Sequence, residues 1–160
     1  MFYVLLLLTP LLLVFGLYHL MTWFDVFRIN GLAYWKRVGI AAGIAHLLLA
    51  TGFFIFTYMD YSASGQFGSG ALGYGNFLFN HSEFRRFLLL FDVLPMAVLV
   101  GTYSVMDRTG LSGGSLVVAI AVTYVFGTLQ WFLLGGVAGS LLTRFWDGLK
   151  TGDEGEEWFQ

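Results

Sequence analysis

Cysteine is missing from this chain of 160 residues, and only 11% of its side chains are Asp, Glu, Lys or Arg. Without a thiol there is no disulfide, no cysteine nucleophile and no Cys-ligated metal. Soluble domains carry about a quarter charged residues, so a chain that is 58% hydrophobic belongs to the membrane class instead. No basic arm or stripe is present, which removes nucleic acid from the list of partners. Catalytic signatures are also scarce. There is no H-E-x-x-H, no Walker loop, and no G-x-G-x-x-G that follows a strand and opens a helix. An intramembrane aspartyl enzyme needs two carboxylates that share the work, and the apolar stretches here contain one, Asp92.

What the chain does have is length in its apolar runs and 19% aromatic residues, enough for helix contacts and for belts at both membrane surfaces. Four runs are long enough for a hydrocarbon core of ~30 Å at ~1.5 Å per residue. They cover residues 2–24, 38–59, 84–106 and 115–142. The first lacks the basic n-region and the small-residue cleavage site of a signal peptide and is read as a retained span. The fold class expected is all-α, an integral membrane bundle of four spans built from two antiparallel helix hairpins. Residues 1–146 form this domain, and residues 147–160 form an acidic tail, disordered or held by a partner.

The connections punctuate this plan. Asp25–Arg37 has Asn30-Gly31 as its turn signal and Tyr34, Trp35, Lys36 and Arg37 as an interfacial anchor. Asp107–Gly114 is a second tight turn. Residues 60–83 form one long loop of glycine, small polar and aromatic residues, closed by Asn80 and Glu83 in a capping-box pattern. The fourth run exceeds the membrane's need, so it must tilt, protrude or bend at Gly135-Gly136. Lys and Arg are evenly divided between the two sides. The bias after the first helix places both termini on the non-cytoplasmic side.

Small and polar residues recur at helical spacing and mark the faces expected to pack. Thr9, Leu12, Gly16, His19 and Trp23 share one face of the first span, and Gly39, Gly43, His46 and Ala50 share one face of the second. Gly127, Gly135 and Gly139 supply close-approach positions in the fourth. Pro95 frees the Phe91 carbonyl for a polar neighbour. A carboxylate as deep as Asp92 costs about 2.5–3.5 kcal/mol on insertion scales, so it should face protein or water and have a partner. Counting ~1.5 Å per residue from the tight-turn side puts Asp92 and Gln130 level at roughly 21–23 Å. The same count puts His46 at roughly 13 Å and His19 at roughly 9 Å. An intramembrane polar network of Asp92, Gln130, Tyr103, His46 and His19 is therefore expected, its deep layer Asp92 with Gln130 and its shallow layer the two histidines.

Three functions emerge as expectations. The first is a non-catalytic accessory or assembly subunit of a larger membrane complex, with lipid and other membrane chains, or copies of itself, as partners. The second is a small transporter or proton/cation conduit that uses Asp92. The third is a b-haem electron carrier with His19 and His46 as axial ligands, one from each of two neighbouring helices. A metal site is not expected, because no third ligand lies near the histidines. Nothing in the sequence demands a cofactor beyond that haem alternative.

Overall fold

The computed structural model describes residues 2–63, 86, 88, 91–109 and 115–154. Of the loop expected at 60–83, residues 64–83, with Asn80, His81 and Glu83, lie outside the described residues, as do 110–114 of the second turn and 155–160 of the tail. Every regular element among the described residues is helical. α1 spans Phe2–Trp23, α2 Tyr34–Ala63, α3 Val93–Thr109, α4 Ser115–Val122 and α5 Thr128–Glu154. A 3-10 turn, Val26–Gly31, joins α1 to α2, and a π-helical turn, Thr123–Gly127, joins α4 to α5.

Two helices are long and apolar enough to cross a membrane: Tyr34–Ala63, of 30 residues, and Val117–Gly148, of 32 residues. Leu8–Trp23 and Val93–Thr102 are shorter apolar helices. Several boundaries differ from those expected, and α2 runs on through Ala63, four residues into the expected loop. The second helix begins at Tyr34, inside the expected connection, because elongating an existing helix costs far less than starting one. For the same reason the last helix runs on to Glu154, so the first half of the expected tail is helical. The irregularity of the long fourth stretch also falls elsewhere. It lies at Thr123–Gly127, while the chain stays α-helical through Gly135-Gly136.

Two compact units are formed, one from residues 1–45 and 131–160 and the other from residues 46–130. In the first, Met21, Ile29 and Ala41 are buried, and Val14, Leu17, Tyr18, Ile40 and Ile44 pack around them. The bulky side chains of α1 thus meet the alanine-rich face of α2. This corrects the face assigned to α1 from sequence. Leu12, Gly16, His19 and Trp23 are exposed, and a Cβ at Gly16 would have nothing within 4 Å. Large side chains seated on small ones bury more apolar surface than a small face could, and packing obeys that term.

The connecting turn is held by polar contacts. Asp25 Oδ1 accepts from the Asn30 backbone N–H at 3.0 Å, and Asn30 Nδ2 donates to the Thr22 carbonyl at 3.0 Å. Arg37 donates to the Leu32 and Asn30 carbonyls at 2.7 and 2.6 Å. Asp25, Phe27 and Arg28 all hold left-handed backbone angles, with φ of 47°, 57° and 54°. The turn signal at Asn30-Gly31 marks the right segment and misses where the chain reverses its hand.

The close-approach glycines of this unit are Gly39, Gly135 and Gly139. A Cβ at Gly39 would lie 2.8 Å from the Phe132 carbonyl oxygen, and one at Gly135 would lie 2.6 Å from Ala42 Cβ. At Gly139 it would lie 3.0 Å from Trp35 Cα. Gly43 is buried. In the second unit Tyr61, Leu88, Leu99 and Ala119 form the core, flanked by Phe53, Phe54, Met96, Val118 and Val122.

Gly135→Leu should therefore force α2 and α5 apart in the first unit, destabilising the protein by about 1–3 kcal/mol or more. Gly16→Leu should leave the isolated chain's stability unchanged. Thermal unfolding of both variants in one detergent checks the pair. Equal melting temperatures would show that the Gly135 contact does not hold the helices.

Candidate functional site

The second unit is organised around a break in a helix. Pro95 has no N–H to give the Phe91 carbonyl, so that acceptor is stranded on an apolar segment. The Gln130 carboxamide takes its place: Nε2 donates to the Phe91 carbonyl at 3.0 Å and Oε1 accepts from the Leu94 N–H at 2.7 Å. One side chain thus satisfies both a donor and an acceptor of the interrupted ladder. On either side the ladder holds, with Asp92 N–H on the Leu88 carbonyl at 3.0 Å and Met96 N–H on the Asp92 carbonyl at 2.9 Å.

Asp92 stands in this interrupted turn, and its side chain is fully buried. Its Oδ2 lies 2.9 Å from His46 Nε2, and the imidazole is fully buried as well. His46 Nδ1 lies 3.2 Å from Thr128 Oγ1. Both ring nitrogens are thereby engaged by protein. An isolated ion in such a place would cost several kcal/mol, whereas a hydrogen-bonded acid–base pair offsets much of that cost. Two buried oxygens have no hydrogen-bond partner among the described residues, Asp92 Oδ1 and Thr123 Oγ1.

Gly127 makes room for the pair. A Cβ there would collide with His46 Cε1 and Nε2 and lie 3.2 Å from Asp92 Oδ1. Gly127 is also the last residue of the π turn, which widens one turn of helix and changes the facing of the residues after it. Thr128, next in the chain, sends its backbone N–H to the Tyr124 and Val125 carbonyls and its hydroxyl towards His46. Tyr124, in the same π turn, pairs its hydroxyl with Thr51 Oγ1 at 2.8 Å.

Of the residues singled out from sequence, Asp92, His46 and Gln130 converge in this unit. Their pairing differs from the layered arrangement expected. Asp92 bonds to His46, and Gln130 bonds to backbone. The depth count starts α2 at Arg37. It also takes both tight turns to lie on one side, whereas Trp35 at the start of α2 packs against Gly139, far along the last helix from Ser115, so the counts from Arg37 and from Ser115 run from opposite ends. His19 belongs to the first unit, is exposed, and stacks edge-on against Phe15 and Tyr18 with ring centroids 4.3 and 5.6 Å apart. The side chain of Tyr103 lies outside the described residues. Haem ligation by His46 would require one of its ring nitrogens to leave Asp92 or Thr128, so this geometry does not favour the haem expectation. Thr128 and the π turn were missed by sequence reasoning. Thr128 lies beside Gly127 and could have been flagged as a hydroxyl near a close-approach glycine.

Among the described residues no group of three or more His, Asp or Glu converges as a metal site. The letters Gly110-Leu111-Ser112-Gly113-Gly114 fit the hydrolase pattern G-x-S-x-G. That pattern needs a strand before it and a helix after it. Here it comes after helix α3, and the five residues themselves lie outside the described set.

Removing one member of the pair should cost more than removing both. His46→Leu leaves Asp92 buried without its partner and should destabilise by about 3–5 kcal/mol. The double variant His46→Leu/Asp92→Leu should recover part of that loss, and unfolding of the four species of the cycle measures it. Gln130→Leu should strand two backbone groups, at about 1–3 kcal/mol each, and speed amide exchange at Leu94. Unchanged exchange there would mean that the splice does not form.

Compared with protein-family models, curated proteins and solved structures, the chain has no match.

Proposed function

We propose that this chain is a small multi-pass integral membrane protein without catalytic activity, an accessory or assembly subunit that packs against other membrane chains or against copies of itself. The membrane part of the reading is supported by two helices long enough to cross and by large apolar side chains turned outward along them. These include Leu48, Ile55, Phe56, Leu133, Val137 and Leu141, each more than half exposed. In water such a surface would aggregate, and in lipid it is solvated. On this reading α1 also crosses, and because Tyr34 at the start of α2 lies beside Trp146 near the end of α5, the C-terminus falls at the end of the unit that carries the α1–α2 turn, which corrects the expectation that both termini share one side.

The observation that carries the assembly role is the uncovered face of α1. Gly16 and His19 lie on it, with open space above Gly16 and an imidazole exposed at the level of apolar helix. Small residues on a membrane helix let another backbone approach closely, and a polar side chain facing acyl chains is better satisfied by a neighbouring helix. Inside the second unit, by contrast, the polar side chains of His46 and Gln130 are already engaged by their own chain. Extraction in mild detergent and then native mass analysis should recover the chain as an oligomer or with a second membrane protein. Gly16→Leu should reduce it to a monomer of unchanged helicity. A wild-type chain that is monomeric and alone under those conditions overturns the reading.

A second reading, a proton or cation conduit, is favoured by one feature of the pair. The Thr128 hydroxyl can accept from Nδ1–H or donate to a bare Nδ1, so the site accommodates both the neutral pair and the form one proton poorer. Asp92 Oδ1, with no described partner, offers a further acceptor. Asp92→Asn in reconstituted vesicles should then abolish pH-driven flux while the fold persists. Unaltered flux, accompanied by lost thermal stability, would leave Asp92 a structural lock.

A further inference from the structure

In the first unit an apolar groove of about 430 Å³ runs along α5. Phe132, Gly136, Val137, Leu141 and Arg144 line it from that helix, and Trp35 of α2 closes its other wall. These α5 positions share one helical face, and from Phe132 to Arg144 the twelve steps rise roughly 18 Å at ~1.5 Å per residue. Half of a ~30 Å hydrocarbon core is ~15 Å, so the groove has the length of one leaflet. Its floor stays open because Gly136 has no side chain: a Cβ there would lie 3.3 Å from Trp35 Cε3. Ser140, also in the groove, donates its hydroxyl to the Gly136 carbonyl at 2.9 Å, which leaves the interior without a spare donor.

The two ends differ in character. The inner end, at Phe132, is aromatic, with its ring 6.5 Å from that of Trp35. At the outer end Arg144 is exposed, and no described residue pairs with its guanidinium. Lys36 adds a second positive charge beside the same wall, its Nζ 5.4 Å from the Trp35 ring centroid. The nearest acid along α5, Asp147, lines a neighbouring groove with Tyr34 and Trp146 and not this one. An apolar channel of leaflet length, open at one end under a guanidinium that no described residue pairs, fits the shape and complements the charge of an amphiphile with an anionic head.

We propose that this groove binds an anionic phospholipid, with one acyl chain along the strip from Leu141 to Phe132 and the phosphate on Arg144. The planar guanidinium can meet two phosphate oxygens at once, which gives preference for that head over a zwitterionic one whose ammonium opposes the arginine. The proposal rests on the membrane reading above and adds a lipid class and a seat for it.

The test is native mass analysis of the full chain titrated with phosphatidylglycerol or phosphatidylcholine of identical acyl chains. The wild-type chain should retain phosphatidylglycerol several-fold over phosphatidylcholine. Arg144→Gln should bring that ratio to about one without changing helicity, since the guanidinium holds no described residue in place. Val137→Trp, which fills the groove from an exposed position, should lower retention of both lipids. Equal retention of the two lipids by the wild-type chain, a preference that survives Arg144→Gln, or retention untouched by Val137→Trp overturns the proposal. Failure of the membrane reading looks different, because the chain would then be recovered in the aqueous fraction without detergent.

Discussion

A carboxylate in an apolar helix has to be answered from elsewhere in the chain, and that obligation organises the second unit. Asp92 is answered by His46, forty-six residues away in sequence and 2.9 Å away in space. The pair admits no Cβ beside it, which fixes the residue at 127. It also needs a hydroxyl for the second ring nitrogen, which fixes Thr128. Each of these requirements restricts what α2, α3 and α5 can do without loss, so a few polar contacts decide the positions of many apolar ones.

The proline three residues on adds a second obligation of the same kind. A broken helical ladder leaves backbone groups without their helical partners. Gln130 answers both sides of that break with a single carboxamide. Side-chain amides suit this task because one group both donates and accepts in a plane, as the peptide does. The π turn at Thr123–Gly127 belongs to the same arrangement, since it leads into the three positions, 127, 128 and 130, that meet the pair and the break.

How much of this is readable beforehand depends on the kind of signal. Helical class is legible from composition, and the isolation of Asp92 and the open carbonyl at Phe91 are legible from local chemistry. The pairing of Asp92 with His46 is not, because it hangs on which helix ends lie together, and the periodicity of one apolar run says nothing of the direction of its neighbours. The packing face of α1 is misread for a different reason. Small residues identify a place where helices can approach, but they do not say whether the neighbour comes from the same chain, and α1 meets its own chain through Val14, Leu17 and Met21 instead.

The left-handed residues at the α1–α2 junction carry a consequence of their own. Three non-glycine residues within four positions are held in a conformation that costs of order 1 kcal/mol or more apiece, and Ile29, the next residue, is wholly buried. A linker of that kind has no slack. Inserting or deleting one residue would swing Ile29 out of its seat and rotate everything downstream, so the hairpin's register is written in its knuckle rather than in the two rods it joins.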